Sequence, residues 1–446
     1  MPRSTLRAPY LALRHRDYRR LIASQLFSLV GTQMQVVAIN WHVYLLTRSP
    51  LALGFVGLTR VLPIIAFSLW GGVVADRHDR RRVMITTQAA MTAVALALAA
   101  GTAAGRETLW MLYTLNALSA AAVAFDGPAR QALIPRLVPP EDLPGALSLN
   151  LSVFQASMIG GPALAGLLIA GHGSAGAAGV TPADTRSLAV IYGLNAASFL
   201  AVIFALATMH TSGAPTREEG QTESWAALRE GLRFVFTTPL MVWTMGLDFL
   251  ATFFSGATSL LPIFADQVLH VGARGYGILA AAPAIGALGG AVFLSVRPLP
   301  PRQGRVFLWA VGVYGASTIV FGLSRSFWLT LVALAGAGLA DAISTVIRQT
   351  LRQFITPDRL RGRMTSVNMI FFMGGPQLGE LEAGFVASLF ASTVVGVTFS
   401  VVSGGVATVL ITAGIAAAAP ALRRYDFGLD AAPGLVEKSI EPAPRP

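Results

Sequence analysis

The chain has 446 residues, 54% of them hydrophobic and only 12% charged, with a formal net charge of +11. A soluble domain carries roughly a quarter charged residues, so a water-soluble globule is excluded, and the mean hydropathy of +0.62 agrees. Cysteine is absent, which removes disulfides and thiol chemistry.

The first 20 residues hold six arginines and lead into an uncharged run over 21–47. A cleavable signal has an apolar core of only about 7–15 residues, so this run is expected to be an anchor that stays. Uncharged runs then recur along the chain. A bilayer-spanning helix needs ~20 mostly apolar residues, and the pattern predicts twelve spans. They lie at 19–46, 52–75, 83–104, 108–127, 146–170, 187–209, 239–264, 274–297, 305–324, 327–348, 364–390 and 393–418. The expected fold is all-α and integral to the membrane, because backbone groups in lipid must bond internally. Residues 1–209 read as a six-helix bundle and 239–424 as a second. Between them, 210–238 reads as a linker with an amphipathic helix that places Trp225, Leu228, Leu232 and Val235 on one face. Residues 425–446 are Pro-rich and polar, and are expected to be a disordered tail.

Charge sets the orientation. With the N-terminus inside, inner segments hold 27 of the 33 basic residues and outer loops hold five, with Arg60 left inside a span. That asymmetry is the positive-inside pattern. It puts both termini in the cytoplasm and explains the basic charge without nucleic acid. The one lysine, Lys438, lies in the tail, so no P-loop for ATP can form. The six histidines are scattered and no H-E-x-x-H occurs, so neither a metal site nor an enzyme is expected.

The two halves share a pattern. "RQALIPRLVPPEDLPGALSLN" (130–150) and "RQTLRQFITPDRLRGRMTSVN" (348–368) have RQ, Leu, Pro and a closing Asn at one spacing, and each precedes a GGP, at 160–162 and 374–376. Halves of six spans related in parallel belong to a large class of secondary transporters.

Between spans 2 and 3, "GGVVADRHDRRRVMI" (71–85) packs six charges into positions 76–82. Gly72, Asp76, Arg77, Arg80 and Arg81 match the loop signature G-x-x-x-D-R-x-G-R-R/K, and the chain resembles the major facilitator superfamily on that account. Asp79 stands where that signature has Gly, which puts the tight turn in doubt. The copy between spans 8 and 9, "GGAVFLSVRPLPPRQGRVFL", has lost its Asp. The resemblance implies that Asp76 meets the start of span 11, near Met364, and an arginine near span 4, either Arg130 or Arg136. "SMIGGPALAG" (157–166) resembles the antiporter signature through Gly161, Pro162 and Gly166, with ordinary small-residue packing as the other reading. The opening "LRHRDYRRLIASQLFSLVGTQMQVVAINWHVYLLTRSPLALGFVGL" is similar to the enterobactin-exporter-like branch, the transmembrane secretion effectors. That branch implies proton-driven efflux of siderophores or lipophilic drugs from a bacterial inner membrane. It also implies a monomer with no cofactor beyond the proton gradient. An importer of the same fold, or a non-transporting sensor or assembly partner, stays open.

Ionisable groups inside spans are costly and functional by default. Asp248 in span 7 is the first choice for proton or substrate contact, with pairing to an arginine as the alternative. Glu380 and Glu382 are two apart and face different sides of a helix. Arg60 either attracts an anionic substrate or neutralises one of them. Asp126 and Asp341, near inner ends, are expected in a gate network with Arg130 and Arg348. Gln33 and Asn40 in span 1 either line the path or bond between helices, as do Gln25, Gln35, Trp41 and His42. Trp41, His42 and Tyr44 also suit an outer aromatic belt.

Overall fold

The computed structural model describes residues 9–171, 182–211, 213–214, 233–296, 301–357 and 361–426, and these are almost entirely helical. A short 3-10 turn, Pro9–Arg14, leads into α1 (Arg16–Thr47). There follow α2 (Pro50–Arg77), α3 (Arg80–Ala103), α4 (Leu109–Leu137), α5 (Leu143–Gly171) and α6 (Pro182–Ala207). The second half runs through α7 (Pro239–Phe254), α8 (Gly272–Val296), α9 (Gln303–Leu323), α10 (Phe327–Ile355), α11 (Arg361–Ser388) and α12 (Thr393–Ala418). It ends in the short α13 (Pro420–Arg424).

Local chemistry sets many of these boundaries. Ser49 accepts the Ala52 amide and Pro50 opens α2, where its missing N–H costs nothing. Thr108 caps α4 through the Met111 amide at 3.2 Å. α7 stops at Phe254, and the chain continues as a 3-10 turn (Ala257–Leu260), a short helical piece and a π turn (Phe264–Val268). At this break Gly256 lies against α11, where a β-carbon on it would stand 3.2 Å from Gly379 Cα.

Among the described residues eleven helices are long and apolar enough to cross a membrane, α7 being counted with its extension to Val268. α11 is not among them. At 28 residues it is long enough, but Arg361, Arg363, Glu380 and Glu382 make it polar. A helix that carries carboxylates at membrane depth needs protein or water, rather than lipid, around them.

The chain forms two compact units. The first is Met1–Thr222 with Thr258–Ala281 and Ala387–Val397; the second is Glu223–Ala257, Ala282–Val386 and Thr398–Pro446. The expected halves follow the sequence repeat, whereas the first unit also takes in two stretches of the second half. Specific contacts explain one of them. Gly166 on α5 lies against Gly277 on α8, where a β-carbon would sit 2.8 Å from the Gly277 Cα. The Trp41 ring stacks on Tyr276 with centroids 5.6 Å apart.

The GGP repeat has a matching structural role in each unit. Gly161 on α5 packs on α1, where a β-carbon would meet the Val30 carbonyl at 2.9 Å. Gly375 on α11 packs on α7, with the Phe249 carbonyl at 3.2 Å. In both halves the second glycine of the pair brings the fifth helix onto the first, as small residues do in membrane bundles.

Candidate functional site: two arginine centres and their loops

The two arginines of the RQ repeat each reach from the fourth helix of their half to its first. In the first unit Arg130 Nη1 donates to Gln25 Oε1 at 2.9 Å, and Asp126 Oδ2 lies 3.8 Å away, one turn back on α4. Asp126 is 3% exposed and accepts from Thr87 Oγ1 and Gln88 Nε2 of α3, each at 3.1 Å. This centre ties α1, α3 and α4 together mainly by neutral donors.

In the second unit Arg348 is almost completely buried. Its Nη1 pairs with Asp248 Oδ1, its Nη2 donates to Thr345 Oγ1 at 2.6 Å, and its Nη2 lies 3.6 Å from Asp341 Oδ1. The side chains of Arg348 and Asp248 are 2% and 8% exposed, but that of Asp341 is 48% exposed. All three line a small cavity with Thr252, Tyr314 and Ser344, with room for about one water. Arg348 Nε is buried without a partner among the described residues. One turn on, the buried Arg352 donates from Nε to the Arg348 carbonyl at 3.2 Å.

These contacts sort the expected residues. Asp248 takes the arginine partner that the sequence left as its alternative. Asp341 and Arg348, expected in one gate network with Asp126 and Arg130, meet each other inside the second unit, where Arg348 also pairs with Asp248. Glu382 is half-buried on α11, with no hydrogen bond or ion pair among the described residues. Glu380 lies two positions earlier on the same helix, and Arg60 is partly buried on α2.

The polar face of α1 is mostly used between helices. Gln35 accepts from Asn195 of α6 at 2.8 Å, His42 Nδ1 meets the Tyr192 hydroxyl at 3.2 Å, and Gln33 reaches the Met158 sulfur of α5. Asn40 bonds back to the Val36 carbonyl, and its own Oδ1 is buried without a partner among the described residues. Trp41 and Tyr44 are 1% and 0% exposed, so they are core residues and not a lipid-facing belt.

The loop over 76–82 is more structural than its sequence suggests. Asp76 and Arg77 are exposed in the last turn of α2. Asp79 has φ −60° and ψ 113°, and its carboxylate caps α3 by accepting the Arg81 amide at 2.9 Å and the Arg82 amide at 3.3 Å. No positive φ is required at this position, so Asp serves where the family signature has Gly: a carboxylate at a helix N-terminus satisfies orphan amides and suits the dipole. Arg81 donates to the Met209 and Ala207 carbonyls at 2.9 and 2.8 Å and so closes the C-terminal end of α6. Arg20 adds a bond to Thr208 O, and Asp17 accepts the His210 and Thr211 amides. Arg136 reaches the Ala214 carbonyl. Gly72 faces open space, and it is Gly71 that lets α2 approach the Ala124 carbonyl of α4. At the start of span 11, the expected meeting point of Asp76, Met364 is buried and the side chains of 361–363 and 365–367 lie outside the described residues.

One group of contacts had no signal in the sequence. At the far end of α1 Arg48 ends the helix with φ 51° and pairs with Asp266 Oδ2 at 2.7 Å. Its Nη1 also donates to the Tyr44 hydroxyl at 2.6 Å, and that hydroxyl donates to Asp266 and accepts from Gln267 at 3.2 Å. Arg48 read only as a loop arginine, and Asp266 lies in the π turn beyond the expected end of span 7.

Comparison with known proteins decides the family. The model of the transmembrane secretion effectors matches residues 7–433. The chain belongs to the transmembrane secretion effector family. Among curated relatives, the enterobactin exporter EntS of Escherichia coli O1:K1 / APEC is 25% identical over 377 residues, covering 84% of this chain and 86% of the relative. The counterpart from Citrobacter koseri is 24% identical over 376 residues, with the same coverage. Among solved structures, a bacterial homolog of the human lysosomal transporter Spinster, in an inward-facing and occupied conformation, has a TM-score of 0.71 at 16% identity. It covers 91% of this chain and 97% of its own. A bacterial homologue of the iron transporter ferroportin has a TM-score of 0.63 at 18% identity, covering 89% of this chain and 98% of its own. This transmembrane secretion effector is therefore a multi-pass membrane transporter of major facilitator type and not an enzyme.

Proposed function

We propose that this secretion effector is a proton-coupled exporter of a siderophore or a lipophilic drug-like molecule, working by alternating access in the bacterial inner membrane. The observation that carries the proposal is the Asp248–Arg348–Asp341 group: two carboxylates share one buried guanidinium beside a water-sized cavity. These three groups alone carry a net charge of −1, which a single proton neutralises, and Arg352 one turn on adds a further positive charge beside them. Asp248 is enclosed against Arg348, whereas Asp341 is half-exposed and lines the water-sized cavity. Asp341 is the group that takes up the proton, and Asp248 is the fixed counterion of Arg348. This moves the proton role from Asp248 to its neighbour. Glu382, without a partner among the described residues, is a second carboxylate available on the path.

Twelve spans follow when α11 is added to the eleven apolar helices, its polarity being suited to a cavity-lining position. The excess of basic residues on one side supports cytoplasmic termini. In that orientation the loop with Asp76, Arg77, Arg80 and Arg81, together with Asp126, Arg130 and Arg136, belongs to the inner gate. The Arg48–Tyr44–Asp266 contacts belong to the outer side. The enterobactin exporters among the relatives support a siderophore as cargo.

The deciding experiment uses purified protein in proteoliposomes under an imposed pH gradient, with catecholate siderophores and lipophilic dyes as probes. Movement that depends on the gradient and is lost in Asp341→Asn is the expected result. No gradient-dependent movement of any probe by the wild-type protein would sink the proposal. Unchanged coupling in Asp341→Asn would sink the assignment of the proton site.

A further inference from the structure

The loop between the second and third helices occurs once in each half, and each copy meets the segment that follows the sixth helix of its half. In the first half Asp79 caps α3 with its own carboxylate, and the next amide, Arg80 N, donates to the Gly213 carbonyl at 3.0 Å. In the second half the cap position is occupied by Arg302. Its backbone is left-handed, with φ 60°, its side chain caps nothing, and the first turn of α9 contains no acid. The carboxylate there comes from elsewhere. Asp426 Oδ2 accepts the Arg302 amide at 2.8 Å, from 124 residues away. Beside it Gly304 N donates to the Tyr425 carbonyl at 3.2 Å, and the Leu422 carbonyl lies so close to Gly304 that any β-carbon there would overlap it.

The segment is anchored as well as adjacent. Ala419 and Leu422 are 3% and 0% exposed and belong to one apolar cluster with Phe307, Leu308, Leu247 and Ile347. Leu247 and Ile347 immediately precede Asp248 and Arg348. The strap after α12 thus packs on the helix positions next to the buried ion pair.

We infer that residues 419–426 bring in an acid that the second loop lacks, with Asp426 as a positioning residue whose carboxylate holds the Arg302 amide at the start of α9. A carboxylate at that helix end satisfies an orphan amide and offsets the positive end of the dipole beside Arg302 and Arg305. The C-terminal segment is therefore a working part of the second half: it sets the start of α9 and the packing beside Arg348. Its effect on turnover rests on the transport reading above; its effect on α9 does not.

Hydrogen exchange on the full-length protein tests it, comparing Asp426→Ala, Asp426→Asn and Asp79→Ala. Expected is exchange faster by about fivefold at Arg302 and Gly304 in Asp426→Ala, the factor typical of a lost cap. The first turn of α3 keeps wild-type rates, and Asp426→Asn, which keeps an accepting oxygen, stays near wild type at both. Asp79→Ala gives the mirror image, faster at α3 and unchanged at α9. In proteoliposomes Asp426→Ala lowers turnover without changing the substrate KM. Wild-type exchange at Arg302 and Gly304 in Asp426→Ala, or equal loosening of both helices, overturns the inference, as does unchanged turnover despite faster exchange. Absence of transport by the wild-type protein would bear on the transport proposal alone, since the exchange experiment decides the role at α9 independently.

Discussion

Arg130 and Arg348 hold corresponding places in the repeat but have different partners. Each extends from the fourth helix of its half to the first. Arg130, with a side chain 23% exposed, meets a neutral glutamine, and its acid Asp126 is already satisfied by Thr87 and Gln88. Arg348, 2% exposed, meets one buried carboxylate and one half-exposed carboxylate. The same position therefore makes a hydrogen-bonded joint in one half and a charge-rich centre in the other. The repeat places an arginine in each half, but only the second half gives it two carboxylates.

The comparison breaks most sharply at Arg348. Arg348→Gln leaves Asp248 buried without its counterion, and removal of one partner of a buried pair costs about 3–5 kcal/mol. Thermal unfolding in detergent should show that loss, and Asp248→Asn should show it too. The double variant Asp248→Asn/Arg348→Gln should recover most of it, because neither charge is then left alone. Additive losses in the double variant would mean that the two side chains are not a pair.

Arg130→Gln is expected to cost only about 0.5–1.5 kcal/mol, the range for an ordinary hydrogen bond. A loss as large as that at Arg348 would erase the distinction between the halves. Next in size is the Arg48–Asp266 contact, which is partly exposed. Arg48→Gln should lower stability by about 0.2–1 kcal/mol. It should also raise labelling of a cysteine placed near Asp266 from the outer side, and unchanged labelling would mean that the contact does not restrict access there.

Asp341→Asn has the smallest effect on stability, within about 0.5 kcal/mol for a half-exposed group, and the clearest effect on coupling. Transport should become indifferent to the pH gradient while the melting temperature stays near that of the wild-type protein. Gln25→Asp sharpens the comparison from the other side. It gives Arg130 a carboxylate at the place where Arg348 has Asp248, and a measurable new pH dependence would show how little separates the joint from the switch.

Much of the fold was legible because membrane insertion reads local composition. The spans at 52–75, 83–104 and 393–418 correspond closely to α2, α3 and α12, since a run of about 20 apolar residues has few other stable forms. The GGP at 160–162 and 374–376 was legible as a repeat, though not its use of the second glycine. Asp79 looked like a departure from a turn signature, because a one-dimensional motif cannot distinguish a turn glycine from a capping acid. Asp248 stood out from the cost of a charge in a span, but its partner did not: Arg348 is 100 positions away in sequence, and nothing in either stretch points to the other.

The sequence by itself determined the membrane class, the order of helices and the transporter family, because these depend on hydropathy along the chain and on motifs a few residues long. Tertiary structure decided which charges meet. It gave Arg348 two carboxylates and Arg130 a glutamine, joined Arg48 to Asp266, and brought Asp426 to the start of a helix whose own loop carries no acid. The physical reason is that a charge within a membrane bundle must find compensation within a few ångströms, and the helix that provides it is chosen by packing rather than by sequence distance.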